Sequence, residues 1–477
     1  MKLSELLRKN KIYISLPCGG CGACGKCKVR LSDGSIVLAC KTEVDEDYDI
    51  SGVTLLDNEA KISALSVDRT ASPTAYTTSD SFGIAIDIGT TTVAFALVEG
   101  DGSVADTICS INPQRTYGAD VIGRIKASNE GCKQVLQTII IDCINKNIDI
   151  LIQRNKIRSG LIRRVVIAGN TTMIHLLRGY SCQSLGKYPF TPHSVSGETV
   201  PAEEVLGRRD LDHVLVYILP GISAFVGGDI VSGIYASKMC ASADISLLID
   251  LGTNGEMVIG NKNRIVATST AAGPAFEGGN ISIGVPSIPG AIYDTNIIGR
   301  NRLQTRTIDG KTPIGLCGSG LISIVSDLLD AGIIDSDGML SEGYFDEGYP
   351  LLPNIRLIQQ DIRELQLAKS AVRVGIELLC REYGIESGEI TNIYLAGGFG
   401  NGLDIKKAMN IGLIPKSCTS VKAIGNSSLK GAILCAREDT SFRDMANIAT
   451  KCQTLLIANE DDFNDKYLHY MSFDREV

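Results

Sequence analysis

One short word occurs twice in this chain. Ile84-Ala85-Ile86-Asp87-Ile88-Gly89-Thr90-Thr91-Thr92-Val93 is an apolar strand, a Gly-Thr turn and a second strand, and the segment from Leu247 to Ile259 repeats it around Asp250, Gly252, Thr253, Asn254, Gly255 and Glu256. Glycine in such a turn lets backbone N–H groups come close to phosphate oxygens. The Thr hydroxyls add donors, and the Asp can hold a water-ligated Mg²⁺ that bridges the phosphates. A single strand ending in Asp-x-Gly is often only a turn. Two copies about 160 residues apart point to a duplicated fold with a phosphate site between its halves. Asp87, Asp250 and Glu256 are therefore the expected catalytic carboxylates, with Glu277 a further candidate for positioning water. Gly89, Thr90, Thr91, Thr92, Gly252, Thr253, Asn254 and Gly255 are the expected phosphate cradle.

A third word completes a nucleotide set. Thr391 to Gly400 is an apolar strand running into Gly397, Gly398, Phe399 and Gly400, where a base and ribose can lie against the backbone. Gly318-Ser319-Gly320 opens an apolar helix expected from Leu321 to Ile334, a natural anion or hinge position. Leu365 to Tyr383 has helical apolar spacing and reads as a core helix. Asn170, Thr171 and Thr172 face either the nucleotide or a partner; the sequence does not decide. The four histidines, His175, His193, His213 and His469, are dispersed and read as structural.

Five cysteines crowd the first forty residues: Cys18, Cys21, Cys24, Cys27 and Cys40. Two ligand sets compete. Cys18, Cys24, Cys27 and Cys40 have a spacing close to that of plant-type [2Fe–2S] ferredoxins, with glycines between them and the fourth ligand arriving from a strand at Ile36 to Cys40. Cys18, Cys21, Cys24 and Cys27 form a run akin to bacterial [4Fe–4S] motifs, but the last spacing is one residue short and no Pro follows. A zinc knuckle is the bland alternative, and the glycine density exceeds what zinc needs. The two-iron set leaves Cys21 as a bystander.

The net charge of −8 and the absence of a Lys/Arg stripe argue against nucleic acid. The longest apolar stretch, Val214 to Gly228, is broken by Pro220 and several glycines and stops at Asp229, so no membrane span is expected. Met1 to Asn10 reads as an amphipathic helix rather than a leader, and fifteen cysteines without a leader point to the cytoplasm. The expected division is 1–55 for the cluster domain, 56–81 for a Ser/Thr-rich linker, 82–240 for a first lobe and 241–477 for a second.

At this point the chain resembles a known family. The superfamily of actin, sugar kinases and heat-shock chaperones (ASKHA) carries the three nucleotide words in this order. Within it, CGGCGACGKCKV, DIGTTTV, NPQRTYGADVIGRI, AGNTTMIHLL, DLGTNGE, AAGPAFEGGNI, CGSGLI, DIRELQLAKSA, LAGGFG and GNSSLKGA are similar to the ATP-dependent reductive activators of corrinoid proteins. The resemblance implies an α/β fold, an actin-like ATPase of two lobes of mixed sheet with helices, preceded by a small, abbreviated α+β ferredoxin-like iron–sulfur domain. It implies a [2Fe–2S] cluster, ATP and Mg²⁺ as cofactors. The implied activity is one-electron reduction of inactive Co(II) to Co(I) in the corrinoid protein of a methyltransferase system, with a ferredoxin or flavodoxin upstream. A cluster domain of about 50 residues is below the size of a secure core, so ligation would supply much of its stability.

Two rival classes remain at this stage. One is the radical-dehydratase activator, whose cluster cysteines lie inside the ASKHA part rather than before it. The other is a non-redox ASKHA kinase or ATPase with a zinc-binding N-terminus. The oligomeric state, a homodimer included, is left open.

Overall fold

The computed structural model describes residues 1–10, 12, 14, 27–55, 81–298, 302–397, 402–418, 420–437 and 439–473. Cys18, Cys21, Cys24, nearly all of the expected linker, and Gly398, Phe399 and Gly400 lie outside the described residues.

The N-terminal unit comprises α1 (Leu3–Lys9), β1 (Lys28–Arg30), β2 (Ile36–Leu38) and β3 (Thr54–Leu55), with strand order β2-β1-β3. Leu3 and Leu7 on one face of α1 pack with Ile14, Val29 and Ala39 into a miniature core that also takes in Cys27 and Cys40. Cys40 sits in a turn just after β2, two residues beyond the strand on which it was expected.

The first large sheet is built from β4 (Phe82–Ile88), β5 (Thr92–Glu99), β6 (Val104–Ile111), β7 (Ile162–Gly169), β8 (Glu198–Pro201) and β9 (Leu215–Ile218), in the order β6-β5-β4-β7-β9-β8. β4 is buried along its whole length, as a central strand covered on both faces must be. It runs antiparallel to β5 and parallel to β7. Helices α2 (Val121–Ala127), α3 (Lys133–Arg154), α4 (Thr171–Arg178) and α5 (Ala202–Leu206) cover one face. α6 (Gly228–Ser237) lies on the other.

The second large sheet repeats the plan. β10 (Ser246–Leu251), β11 (Gly255–Gly260) and β12 (Ile265–Thr270) form an antiparallel meander. After a three-stranded insertion of β13 (Ala291–Ile298), β14 (Arg302–Thr307) and β15 (Gly315–Leu316) come α7 (Gly318–Asp330), α8 (Glu342–Phe345), the hairpin β16 (Tyr349–Leu352) and β17 (Ile355–Leu357), and α9 (Gln359–Tyr383). β18 (Asn392–Gly397) then pairs parallel to β10, and, past α10 (Ile405–Asn410), β19 (Val421–Gly425) pairs parallel to β18. The chain ends with α11 (Ser427–Arg437), α12 (Asp439–Lys451), the short edge strand β20 (Gln453–Thr454) and α13 (Phe463–His469). The sheet order β19-β18-β10-β11-β12-β20 thus mirrors β9-β7-β4-β5-β6 of the first lobe. The outer face is packed on α7 and α9 through Leu321, Ile324, Leu365 and Val372.

A cut near residue 240 separates the two sheets in sequence but not all helices in space. α11 and α12 return to the first sheet, where Leu429, Ala432, Ile433 and Met445 bury Ala85, Ala94, Val166 and Ala168. α6 reaches the other way and sets Ile230 and Ile234 against Leu248 and Val258. The two helices cross closely: a Cβ on Gly431 would stand 2.3 Å from the Ser232 carbonyl oxygen. Ser232 Oγ donates to the Ser428 carbonyl at 2.6 Å. No helix among the described residues is long and apolar enough to cross a membrane.

Candidate nucleotide cleft and cluster site

The two repeated hairpins face each other across the lobe boundary. Glu277 stands between them: its Oε2 accepts from Thr253 Oγ at 2.8 Å on one hairpin and from Thr91 Oγ at 3.4 Å on the other. Asn170, which caps α4, donates from Nδ2 to Thr90 Oγ at 3.1 Å, so this residue faces the first hairpin. Asn112 binds the same turn from beneath, donating to the Gly89 carbonyl at 2.8 Å. The loop before α6 comes so close to the start of α4 that a Cβ on Gly227 would lie 2.5 Å from Asn170 Cα. Two helix starts and two Gly-Thr turns therefore converge, an arrangement suited to phosphate.

Five carboxylates line this cleft. Asp87 is tied down: its Oδ2 accepts from Asn426 Nδ2 and its Oδ1 from Ser428 Oγ, both at 2.7 Å. Burial raises its pKa, and those two donors oppose the rise. Asp250 has no hydrogen-bond donor among the described residues, and it stands directly across the hairpin from Glu256. Burial, with the charges of Asp229, Asp87 and Glu277, pushes Asp250 up to about 8. Burial and Asp229 raise Glu256 well above the carboxylate range. Asp229, in the first turn of α6, is pushed up to about 7 by burial and by Asp87. Glu277 is raised mainly by burial. Acids held this way favour a bound cation, which would replace the missing positive charge. Among the described residues no three acid, His or Cys side chains converge on one point to cage an ion directly. That suits Mg²⁺, which keeps several waters and binds through phosphates and one or two carboxylates.

The glycine word ending β18 meets this cleft. Gly397 has φ of 99°, and a Cβ there would lie 2.6 Å from the Leu251 carbonyl and 3.1 Å from Asp250 Oδ1. Only glycine lets that strand end against the second hairpin. Gly318, Ser319 and Gly320 are buried behind Glu277. A Cβ at Gly318 would stand 2.0 Å from the Phe276 carbonyl, and one at Gly320 2.0 Å from that of Ile292. Close packing accounts for both glycines, and Ser319 Oγ lies 3.2 Å from Cys317 Sγ.

In the N-terminal unit, Cys27 and Cys40 bring their sulfurs to 3.1 Å in a buried setting, and Ala39 N donates to the Cys27 carbonyl. A disulfide would need about 2.05 Å. Two thiols at this distance, not joined in a disulfide, fit a shared metal centre, and they are the one part of the proposed ligand set within the described residues.

Sequence reasoning missed four contributors. Asp229 was visible only as the acid that stops an apolar run. Asn426 and Ser428 lie in the word GNSSLKGA, but their partner is more than 300 residues away. Arg124, in NPQRTYGADVIGRI, is fully buried and donates to the Thr90 carbonyl of the first hairpin.

Fold and cleft together define a two-lobed ASKHA-type nucleotide-binding protein carrying an iron–sulfur domain. Three family models match in succession: the 2Fe-2S iron-sulfur cluster binding domain over residues 1–55, the RACo middle region over 82–242, and the C-terminal ASKHA domain of RACo over 244–476. The corrinoid activation enzyme RamQ of Eubacterium limosum is 31% identical over 392 residues, 74% of this chain and 64% of that protein. The match thus spans under two thirds of RamQ's length. The [Co(II) methylated amine-specific corrinoid protein] reductase of Methanosarcina barkeri is 26% identical over 82% of this chain and 77% of its own. A solved reductive activator for corrinoid iron-sulfur protein superposes with a TM-score of 0.76 at 28% identity, covering 99% of this chain and 95% of that one. The two RACo models together span most of the chain, which belongs to that family. Its N-terminal unit is accordingly a [2Fe–2S] domain and its body an ATP-binding one.

Proposed function

We propose that this protein is an ATP-dependent activase that returns a corrinoid protein of a methyltransferase system from Co(II) to Co(I) by one-electron reduction. Cys18, Cys24, Cys27 and Cys40 would hold the [2Fe–2S] cluster, which supplies the one-electron redox chemistry. ATP would lie between the hairpins, with Gly89 to Thr92 and Gly252 to Gly255 around its phosphates and the glycines from Gly397 to Gly400 beside its adenosine. Asp250 and Asp87 would face Mg²⁺ through water, and Glu256 and Glu277 would orient the attacking water. A ferredoxin or flavodoxin would deliver the electron, and the work would be done in the cytoplasm.

The observation that carries this reading is the joining, in one chain, of a buried thiol pair in a [2Fe–2S] domain to a two-hairpin cleft lined by clustered buried acids. Both curated relatives, by their names, act on corrinoid proteins. The energetics are consistent. Plant-type clusters lie near about −400 mV. A differential binding energy of about 5.5 kcal/mol between closure states corresponds to roughly 240 mV for one electron. Nucleotide-dependent docking can therefore bias an uphill transfer.

The test is anaerobic reconstitution with a candidate corrinoid protein. The Co(I) absorption band should grow with ATP and reductant, fail to grow with ADP, and fail with Asp250→Ala. A band that grows equally without ATP would refute the reading.

A further inference from the structure

Arg124 is the largest fully buried side chain among the described residues, and it is charged. Its fork is spent on neutral acceptors. Nε donates to the Gly118 carbonyl at 2.9 Å, one terminal nitrogen to the Thr90 carbonyl, and the other meets Met173 Sδ at 3.0 Å. No carboxylate lies within ion-pair distance of it among the described residues. Burying a guanidinium with no ion-paired partner is costly. Burial and the nearby Arg115 draw its pKa down to about 9, against the opposing pull of Asp120. The charge, only partly offset by Asp120, sits directly beneath the turn that carries Thr90, Thr91 and Thr92.

The other arm of the fork leads out of the cleft. Gly118 follows Tyr117, whose ring lies under the guanidinium of Arg8 at 5.1 Å. Arg8 is in the last turn of α1, the helix whose Leu3 and Leu7 pack with Cys27 and Cys40. A fixed path therefore runs from Thr90 through Arg124 and Gly118 to Tyr117, and across to the cluster domain.

We infer that Arg124 is a positioning residue that couples the phosphate hairpin to the Tyr117 ledge, and that Arg8 of the cluster domain docks on that ledge in a nucleotide-dependent way. This rests on the ATP-driven reading above and names the element through which the cleft reaches the cluster domain. An anion arriving over Thr90 to Thr92 adds to the partial counter-charge that Asp120 supplies, draws the Arg124 fork toward the turn and shifts the hold on Gly118. Arg124 itself need not touch the nucleotide.

The full chain has no tryptophan, so Tyr117→Trp installs a single indole that can be excited apart from the tyrosines, and it keeps a face for the Arg8 cation. In the cluster-loaded protein, emission should differ between Mg-ATP and Mg-ADP. Adding Arg8→Ala should remove that difference while ATP hydrolysis stays within twofold. Arg124→Gln should also remove it while nucleotide still binds, and Arg124→Lys, which keeps charge but not the fork, should retain part of it. Identical emission in the two nucleotides, or a difference that survives Arg8→Ala, overturns the inference. Should Arg124→Gln not fold, the Arg8→Ala comparison decides alone. The emission reads docking without any corrinoid present. An intact nucleotide response with no cobalt reduction would count against the proposed function and not against this coupling.

Discussion

The two hairpins share a turn and differ in what stands opposite the acid. Asp87 pairs across its hairpin with Ala94, and its oxygens are taken by Asn426 and Ser428 from the far end of the chain. Asp250 pairs with Glu256, a second acid, and no described residue donates to it. Like charges facing each other across a ladder repel. The first hairpin is thus a mechanical joint that ties the start of β4's turn to α11, and the second is an electrostatic one, two facing acids where the proposed cation would bind. A duplicated fold has kept its backbone in both halves and divided the work between them.

Asp250→Asn tests that division most severely. It should lower ATP hydrolysis by at least about 100-fold, the scale for losing one electrostatic element of a transition-state site. It should also raise the melting temperature of the nucleotide-free protein at pH 8.5. The sign follows from linkage: the folded pKa of about 8 lies far above the ordinary carboxylate value, so the folded state binds the proton more tightly. Stability is full below that ordinary value and falls as pH rises through about 8, so the gain from Asn should vanish near pH 4. Asp87→Asn should lower the melting temperature at pH 4, where no linkage gain offsets the lost acceptor for Asn426 or Ser428, should gain less than Asp250→Asn at pH 8.5 because burial raises Asp87 as well, and should slow hydrolysis by only about tenfold. If the two variants shift melting alike at both pH values, the proposed contrast is broken.

Gly431→Ala sharpens the mechanical side. With Ser232 2.3 Å from the added methyl, α6 and α11 must separate, and overpacking of this kind costs about 1–3 kcal/mol. Calorimetry should show a fall of several degrees, and an unchanged transition would mean that the crossing is already loose. Titration sharpens the electrostatic side. Because Asp250 must shed its proton to meet a cation, Mg-nucleotide affinity should tighten about tenfold between pH 6.5 and 8.5, and Asp250→Asn should flatten that slope. The smallest effect belongs to Thr91→Val, which removes one long hydrogen bond to Glu277 and should weaken nucleotide binding by no more than about threefold.

The fold's repeat was legible because β4 and β10 are apolar runs ending in the same turn, a signal carried by a dozen consecutive residues. The core helix expected from Leu365 to Tyr383 is present within α9, which starts six residues earlier at Gln359. The helix expected to reach Ile334 ends at Asp330, where the chain turns through Gly332 at positive φ. The cleft was legible only in part. Short-range words revealed Asp87, Asp250 and Gly397. They could not reveal that Asn426 and Ser428 satisfy Asp87, since that contact depends on how α11 crosses α6. Nor could they separate a glycine that admits a ligand from one that admits a neighbouring carbonyl, as at Gly318 and Gly320.

The return of α11 and α12 to the first sheet also sets a schedule for the nascent protein. The ribosome completes β4, β5 and β7 long before residues 427–451 emerge. Until then Ala94, Val166 and Ala168 lie on an apolar face that α6 covers only in part, on a sheet that already has its outer helices. Expressing residues 82–240 as a fragment would make that interim condition permanent. Such a fragment should self-associate or bind chaperones, and adding residues 427–451 as a separate peptide should rescue it.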